Sequence, residues 1–296
     1  MPELPEVETV RRGLEPHLVG KRVAAIEVLH RRAQRVGSDI DLAAATGARI
    51  KAVRRIGKFL WFVLDRDFAL VGHLGMSGQL IFARPTEALS AHTRARIKLS
   101  SGRYELRYID QRTFGWLAID PLVETDRGIV PESCSHIAPD PFSPDFNRKA
   151  VIADIRSRKS EIKRVLLNQE IVSGIGNIYA DEALWRARIH PERLAARISE
   201  GEVLELLSAA RFVMSRALKK GGTSFDDLYV NVNGESGYFE ISLRAYGCEG
   251  EPCNRCGAAI RRIAFANRSS HFCPNCQRKS GKSGRPKGRD SRRGRG

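Results

Sequence analysis

The sequence has no hydrophobic run long enough to cross a bilayer, and it has few aromatic and few acidic residues. Hydrophobic residues fill 42% of its 296 positions and aromatic residues 7%, which is typical of a soluble globular protein with room for two domains. The first residues are acidic and include no apolar segment, so we expect no secretory signal and a cytoplasmic protein. In that reducing compartment, six cysteines favour metal binding or chemistry over disulfides.

The shortage of acidic residues leaves a large positive charge. There are 50 Lys and Arg against 34 Asp and Glu, a formal net charge of +16. Residues 278–296 hold nine basic residues and one acidic residue, so this tail carries +8 and the rest of the chain the other +8. The charge predicts a polyanionic partner, although RNA or an anionic membrane fits it as well as DNA. The tail is rich in Gly, Ser, Lys and Arg, and we expect it to be disordered.

Hydrophobic periodicity predicts an α+β multidomain protein. A helix over 5–18 and short strands up to about residue 120 indicate that residues 1–130 form an N-terminal helix plus an antiparallel β-sandwich or barrel. Residues 131–146 contain four prolines and are predicted to be a linker. Residues 147–243 have a helical period, and residues 244–277 form a cysteine-rich ribbon. The predicted strands are 23–29, 59–64, 69–71, 79–82, 96–99, 104–108 and 116–119. The predicted helical segments after the linker are 148–157, 160–167, 178–187, 191–193 and 199–219, followed by a loop over 223–237.

Four cysteines have the spacing C-x2-C-x16-C-x2-C, which is typical of a four-cysteine zinc site. Four thiolates leave no open position for water, so we expect one structural Zn²⁺ and no catalytic metal. Two disulfides are the alternative, disfavoured in a reducing compartment. Cys134 and Cys248 are interpreted as ordinary small residues, although Cys248 is close enough to compete as a ligand. The predicted ligands are Cys253, Cys256, Cys273 and Cys276.

The amino terminus carries a candidate nucleophile. Once Met1 is removed, Pro2 becomes a secondary amine with a pKa of roughly 8 that can attack an electrophilic carbon and hold it as an iminium. Glu3 and Glu6 lie close enough in sequence to give or accept protons. The structural alternative is that Pro5 begins a helix whose positive end the glutamates complement.

Three glycine-containing turns are candidates for contact with nucleic acid. The turn before the helix at 178 places backbone N–H groups and Asn177 where they can bind phosphate, although a tight turn explains the glycines equally well. Met76 in His-Leu-Gly-Met-Ser-Gly, and Arg112 and Phe114 in Arg-Thr-Phe-Gly, can fill the space of an extruded base. The alternative is that Met76 and Phe114 belong to the core. Arg268 lies in a turn of the ribbon that can project it into DNA.

Several motifs together resemble bacterial formamidopyrimidine-DNA glycosylase, a repair enzyme that excises oxidised purines. They are PELPEVET, RRIGKFL, HLGMSG, RTFG, SGIGNIYADEALW, YGCEGEPCNRCG and HFCPNCQ, and the resemblance extends from residue 1 to about 277. It implies a helix and β-sandwich, a helical domain with a helix-two-turn-helix element, and a zinc ribbon. Damaged double-stranded DNA would lie between two lobes of a monomer in the bacterial cytoplasm with the nucleoid, with no membrane partner.

The resemblance also implies residue roles. Pro2 matches the nucleophile that attacks C1′, and Glu3 the acid that protonates the opening sugar, with Glu6 beside it. Lys58 matches the proton donor for β-elimination, and Arg268 the arginine associated with δ-elimination and phosphate binding. The matching DNA contacts are His73, His92, Arg112, Arg158 and Asn177, the inserted residues are Met76, Arg112 and Phe114, and the loop 221–238 matches the one that closes over the extruded base. The implied activities are DNA N-glycosylase and abasic-site lyase.

The chain departs from the family at three places. Thr113 stands where many members have a second basic residue, Arg158 replaces what is often lysine, and the tail exceeds the usual end. Two other functions stay open. An endonuclease VIII-like glycosylase for oxidised pyrimidines typically has glycine where this chain has Leu4. A non-catalytic zinc-ribbon DNA-binding protein would not need Pro2, Glu3 and Lys58 together.

Overall fold

The computed structural model describes residues 2–35, 39–221 and 243–279. Among these residues, no helix is long and apolar enough to span a membrane. Two lobes, a β-sandwich and a helical domain with a ribbon, meet at the first helix. The predicted loop over 223–237 and most of the predicted tail lie outside the described residues, so both stay predictions.

Helix α1 covers Leu4–Leu18, one residue longer than predicted. Pro5 is tolerated in its first turn because the N–H groups there have no helical partner. The buried face of α1 reaches two cores. Leu4 packs in the core of the helical domain, whereas Val7, Val10 and Leu14 pack in the sandwich. The helix therefore places the chain terminus at the junction of the two lobes.

The strands form the predicted antiparallel sandwich. In the described residues, one sheet has the order β2-β3-β4-β8-β9 and the other β1-β6-β7-β5. Aliphatic side chains from both inner faces form one core with α1. The strands are β1 Val23–Val28, β2 Ile50–Ile56, β3 Phe59–Leu64, β4 Phe68–His73, β5 Gly78–Ala83, β6 Thr93–Leu99, β7 Glu105–Asp110, β8 Trp116–Thr125 and β9 Gly128–Pro131.

Two strands of the sandwich were not predicted. Strand β2 reads Ile-Lys-Ala-Val-Arg-Arg-Ile, and its buried residues Ile50 and Val53 are three positions apart because the register shifts between Ile50 and Ala52, so no alternation is visible in the sequence. Strand β9 lies partly within the segment predicted to be a linker because it ends at Pro131. Pairing with a neighbouring strand, rather than local pattern, determines both elements.

The helical lobe contains four helices among the described residues. They are α2 Arg148–Ser157, α3 Ile162–Leu167, α4 Asn177–Ala187 and α5 Glu200–Lys219. These agree with four predicted segments to within two residues. The predicted helical segment 191–193 is wrong, because these residues form a turn that leads to a β-bridge at Leu194. A three-residue 3-10 helix, Ala195–Arg197, follows this bridge.

The linker is fastened to both lobes. Asp140 forms an ion pair with Arg55 of strand β2 at 2.9 Å, and the N–H of Ala138 donates to the carbonyl of Gln169 in the helical lobe. Arg211 of α5 also donates to the carbonyl of Pro141. These contacts hold the lobes in one relative orientation.

The ribbon packs against the end of α4. Its hairpin consists of β10 Arg261–Phe265 and β11 Arg268–Phe272. Trp185 of α4, Ile260 and Cys273 form a small separate core. The hairpin is thereby carried by the same helix whose opposite end lies near the chain terminus.

Candidate active site

Glu3 is fully buried beside the buried Pro2, at the start of helix α4. Its carboxylate accepts hydrogen bonds from the N–H of Gly176 at 2.6 Å and of Ile178 at 2.9 Å. Helix N-termini favour negative charge because their N–H groups are unpaired and the helix dipole is positive there. The start of α4 thus binds the residue that follows the predicted nucleophile.

This contact changes the interpretation of the Gly-Ile-Gly turn. A side chain at Gly176 would overlap the Glu3 carboxyl group, and one at Gly174 would overlap Leu4. Gly174 also has a φ of +87°, which favours glycine. In this structure the N–H groups predicted to bind phosphate are occupied by Glu3. The glycines allow the chain terminus to approach across 173 residues of sequence separation.

Glu6 holds the first residues of the chain against α4. One carboxylate oxygen accepts from the backbone N–H of Glu3 at 2.9 Å, and the other accepts from the hydroxyl of Tyr179 at 2.7 Å. The first contact fixes the backbone that begins with Pro2. Sequence reasoning missed Tyr179, because an aromatic residue in an amphipathic helix is ordinarily core.

Lys58 reaches the same place from the turn between β2 and β3. Gly57 has a φ of +53°, and a side chain there would lie 2.8 Å from the Cβ of Ser173. This close approach lets the Lys58 ammonium donate to the carbonyl of Ile175 at 2.9 Å. We call Pro2, Glu3, Glu6 and Lys58 the N-terminal corner.

Burial brings two pKa values of the corner towards neutrality. It raises the pKa of Glu3 to about 7, although the positive charge of Lys58 opposes this. Burial also lowers the pKa of Lys58 to about 8, with Glu3 opposing the shift and the charge of Arg268 adding to it. At neutral pH the corner therefore holds a carboxyl group that is partly protonated and an ammonium group that can release its proton.

Arg268 is the first residue of β11 and is exposed. Ala266 and Asn267 form the two-residue turn before it, both with positive φ, as a tight hairpin turn requires. The hairpin lies beside the start of α4 that binds Glu3, because the Asn177 amide donates to the carbonyl of Ser269, next to Arg268, at 3.0 Å. The charge of Arg268 also contributes to the lowered pKa of Lys58. Lys58 and Arg268 are 210 positions apart in sequence, and their positive charges repel each other in the folded protein.

The two loops that carry the predicted inserted residues, 73–78 and 110–115, are joined by one buried carboxylate. Asp110 accepts from the hydroxyl of Ser77 at 2.6 Å and from the N–H of Gly115 at 2.8 Å. A side chain at Gly75 would overlap the backbone of Gly115, so the loops touch through glycines. We call them the wedge loops.

The side chains of the wedge loops are largely accessible. Phe114 is 58% exposed, and the Arg112 guanidinium lies 5.7 Å above its ring. Met76 is half-buried, and Thr113 has a φ of +53°, a strained conformation for a β-branched residue. The exposure of Phe114 contradicts the alternative that it is a core residue.

The remaining predicted DNA contacts differ in their surroundings. His73 stacks on Trp116 at 5.8 Å, and burial with the charge of Lys58 lowers its pKa to about 4. His92 is half-buried, and exposed Arg158 pairs with Asp154 at 2.6 Å. Asn177 is 9% exposed, and its amide donates to the carbonyl of Ser269 in the hairpin at 3.0 Å. Its side chain joins α4 to the ribbon in this structure.

The four predicted zinc ligands meet in the ribbon. Their sulfur atoms all lie within 4.8 Å of one another, which fits tetrahedral coordination of one ion. Cys248 is outside this cluster, and its thiol donates to the carbonyl of Tyr246 at 3.6 Å, so the interpretation of Cys248 as a competing ligand is wrong. Cys134 is buried against the five-stranded sheet. The cluster is Cys253, Cys256, Cys273 and Cys276.

A chain start that lies buried between a β-sandwich and a helical domain, beside a zinc-ribbon hairpin, is the architecture of a class of DNA glycosylases. Three family models match in the order of the lobes. They are the formamidopyrimidine-DNA glycosylase N-terminal domain at residues 1–117, its H2TH domain at 137–227, and the zinc finger found in FPG and IleRS at 250–278.

Full-length relatives agree with the family models. Formamidopyrimidine-DNA glycosylase of Rhodococcus jostii is 56% identical over 281 residues, covering 94% of this chain and 96% of the relative. The Mycobacterium avium protein of the same name is 54% identical, covering 94% and 98%. The chain belongs to the formamidopyrimidine-DNA glycosylase family. It is a DNA glycosylase of base excision repair, and abasic-site lyase activity is typical of the family.

Solved structures show the same fold. A Lactococcus lactis FPG mutant in complex with DNA containing Fapy-dG has a TM-score of 0.82 and 36% identity, covering 94% of this chain and 100% of the other. MutM in complex with DNA containing carbocyclic 8-oxo-G has a TM-score of 0.81 and 36% identity with the same coverage. The match to the zinc finger and the four-cysteine cluster assign one structural zinc to this chain.

Proposed function

We propose that this enzyme removes oxidised purines, including 8-oxoguanine and formamidopyrimidines, through a Schiff base on Pro2 and then cleaves the strand by β,δ-elimination. The observation that carries the proposal is the buried carboxyl group of Glu3, with a pKa of about 7, directly after the terminal proline. Related proteins bound to DNA containing Fapy-dG or carbocyclic 8-oxo-G support this substrate class.

In the first step, the Pro2 nitrogen forms a bond to C1′ of the damaged nucleotide. The bond from C1′ to the base breaks, and the base leaves with the electron pair and takes up the proton that the Pro2 nitrogen releases. Glu3, in its protonated form, then donates to the ring oxygen of the sugar as the ring opens and the iminium forms. Glu6 takes part indirectly by fixing the backbone N–H of Glu3.

The iminium acidifies the C2′ protons, so one of them is lost and the bond from C3′ to its phosphate oxygen breaks. Lys58, with a pKa of about 8, is mostly protonated at neutral pH and serves as the proton donor of this β-elimination. A second elimination, from the same sugar, breaks the bond from C5′ to the oxygen of the 5′ phosphate. We assign to Arg268 the stabilisation of that departing phosphate, because it is exposed and its neighbour Ser269 is bound to the start of α4, where Glu3 lies.

We further propose that Met76, Arg112 and Phe114 occupy the space left by the extruded nucleotide. Binding of the backbone is assigned to His73, His92, Arg112, Arg158 and Asn177. Arg158 must exchange Asp154 for a phosphate, and Asn177 acts from the junction of α4 and the hairpin.

The proposed domains are residues 1–130, 147–243 and 244–277, with the linker 131–146 and the tail 278–296. The proposed location is the bacterial cytoplasm with the nucleoid.

The test compares excision from duplexes with 8-oxoguanine opposite cytosine and with thymine glycol. We expect faster excision of 8-oxoguanine; faster removal of thymine glycol would favour the endonuclease VIII-like function instead. Pro2→Gly should abolish excision while leaving binding of damaged duplex largely intact. Wild-type excision by Pro2→Gly would refute the assigned nucleophile.

A further inference from the structure

We propose that Asp181 is a positioning residue for strand cleavage, because it anchors the strand that carries Arg268 and so sets the distance between Arg268 and Lys58. The proposal rests on the role assigned to Arg268 above. It adds a residue of helix α4 that touches no substrate and that acts through the ribbon hairpin.

Asp181 is fully buried, yet four groups from two segments of the chain lie within hydrogen-bond distance of its two oxygens, among them the Nδ1 of His271 at 3.3 Å. One oxygen accepts from the Lys163 ammonium and the Ser270 hydroxyl, at 2.6 Å and 2.7 Å. The other accepts from the backbone N–H of His271 at 2.8 Å. Its carboxylate therefore joins α3 and α4 to the middle of β11.

The three residues after Arg268, which are Ser269, Ser270 and His271, are all held by the helical lobe. The carbonyl of Ser269 accepts from the Lys163 ammonium and from the Asn177 amide, each at 3.0 Å. Ser270 is fully buried and His271 is 6% exposed, so both bonds to Asp181 are shielded from water. Arg268 lies immediately before these residues on the strand, and its side chain is exposed.

On the other side of the turn, the strand partner of Arg268 is Phe265, which is buried and lies 5.4 Å below the Lys163 ammonium. Ala266 and Asn267 form a turn with positive φ at both residues, which for alanine is an uncommon conformation. The tip is held by its pairing with β10 and by the anchored residues 269–271. A buried ion pair seldom adds much net stability, because desolvation offsets its attraction. The arrangement of donors around Asp181 instead fixes the geometry of one strand.

The experiment measures the products formed by the full-length, zinc-loaded protein on a duplex with a single abasic site. Asp181→Asn keeps the shape of the side chain and removes its charge. We expect the ratio of δ-elimination to β-elimination product to fall about tenfold, while the β-elimination rate and zinc content stay within about twofold of wild type. A general loss of folding would instead lower both products together.

Ser270→Ala removes a single hydroxyl from the same anchor and tests the proposal if Asp181→Asn folds poorly. It should shift the product ratio in the same direction by a smaller factor. The matched control is Glu205→Gln, which removes one negative charge from the exposed face of α5 on the same helical lobe and should leave the ratio unchanged.

Arg268→Ala separates the two levels of the proposal. If it leaves the product ratio unchanged, the role assigned to Arg268 is overturned, and that of Asp181 with it. If Arg268→Ala lowers the ratio but neither Asp181→Asn nor Ser270→Ala does, the role of Arg268 stands and the inference about Asp181 is overturned.

Discussion

Glu3 is fully buried and accepts hydrogen bonds at both carboxylate oxygens, whereas Phe114 on the wedge loops exposes 58% of its surface. Glu3 is enclosed by the start of α4, by Glu6 and by Lys58. Asp110 joins the wedge loops, which leave Arg112 and Phe114 exposed. The N-terminal corner thus lies buried between the two lobes, whereas the tip of the wedge loops lies on the surface of the sandwich.

The difference follows from what each region has to do. Proton transfer near neutral pH requires shifted pKa values, and burial is the cause of the shifts at both Glu3 and Lys58. A side chain that replaces a base in the duplex must be accessible before DNA arrives. Its exposure costs little stability, because single exposed apolar residues are ordinary on protein surfaces. The groups that transfer protons are therefore in place before DNA binds, and the side chain proposed to enter the duplex is exposed to solvent.

The largest expected effect comes from removing the acid of the corner. Glu3→Gln keeps the size of the side chain but cannot donate a carboxylic proton, so excision should fall by about 10²- to 10⁴-fold. Binding of damaged duplex should change by less than about tenfold, because the exposed surface is intact. Single-turnover excision and a binding titration measure the two quantities. A variant that excises at the wild-type rate would remove the acid role from Glu3.

The corner should also give a pH dependence that the wedge loops lack. Burial raises the pKa of Glu3 from 4.5 to about 7, so the folded state holds this proton more tightly than the unfolded state. Its contribution to stability is complete below pH 4.5 and is lost as pH rises through about 7. Between pH 4.5 and 8, wild type should lose about 3 kcal/mol of unfolding free energy relative to Glu3→Gln.

Urea unfolding at several pH values measures this difference. The control is Phe114→Ala, whose stability should follow the pH dependence of wild type because the exposed ring has no part in the titration. Parallel curves for wild type and Glu3→Gln would show that the buried carboxyl group titrates normally.

Loss of the metal tests the ribbon without touching the corner. Cys273→Ser removes a buried ligand, so zinc should be released and DNA binding should weaken by roughly 10²-fold, since zinc binding supplies folding energy to such small units. Metal analysis and a binding titration are the measurements. Cys134→Ser serves as a control, because Cys134 lies outside the metal cluster. Full zinc content in Cys273→Ser would contradict the four-cysteine site.

The smallest effect is expected on the wedge loops. Phe114→Ala should slow excision from a duplex by roughly tenfold, because unstacking a base costs a few kcal/mol that the inserted ring offsets in part. Stability should stay within about 0.5 kcal/mol of wild type. Ile129→Ala is the matched control, since Ile129 is 60% exposed on β9 and has no proposed role. Equal excision rates for the two variants would contradict the wedge.

The sequence predicted the zinc ligands directly, because two C-x2-C pairs at this separation are typical of a four-cysteine zinc site. It predicted α1 and most later helices, whose apolar periodicity is local. Strand β2 was missed because a register shift places its buried residues Ile50 and Val53 three positions apart, and the contact of the Gly-Ile-Gly turn with Glu3 was missed because the two are far apart in sequence. Tyr179 and Asp181 gave no local signal either. Contacts between distant segments define their surroundings, and the roles of Lys58 and Arg268 came from family resemblance alone.

The central claim is that the amine of Pro2 becomes covalently bonded to deoxyribose. Borohydride trapping on a duplex with 8-oxoguanine opposite cytosine, followed by peptide mapping of the cross-linked product, tests it most directly. The account predicts a single adduct on the N-terminal peptide, located at Pro2. An adduct located at Lys58, or full activity in protein whose terminus is chemically blocked, would contradict it.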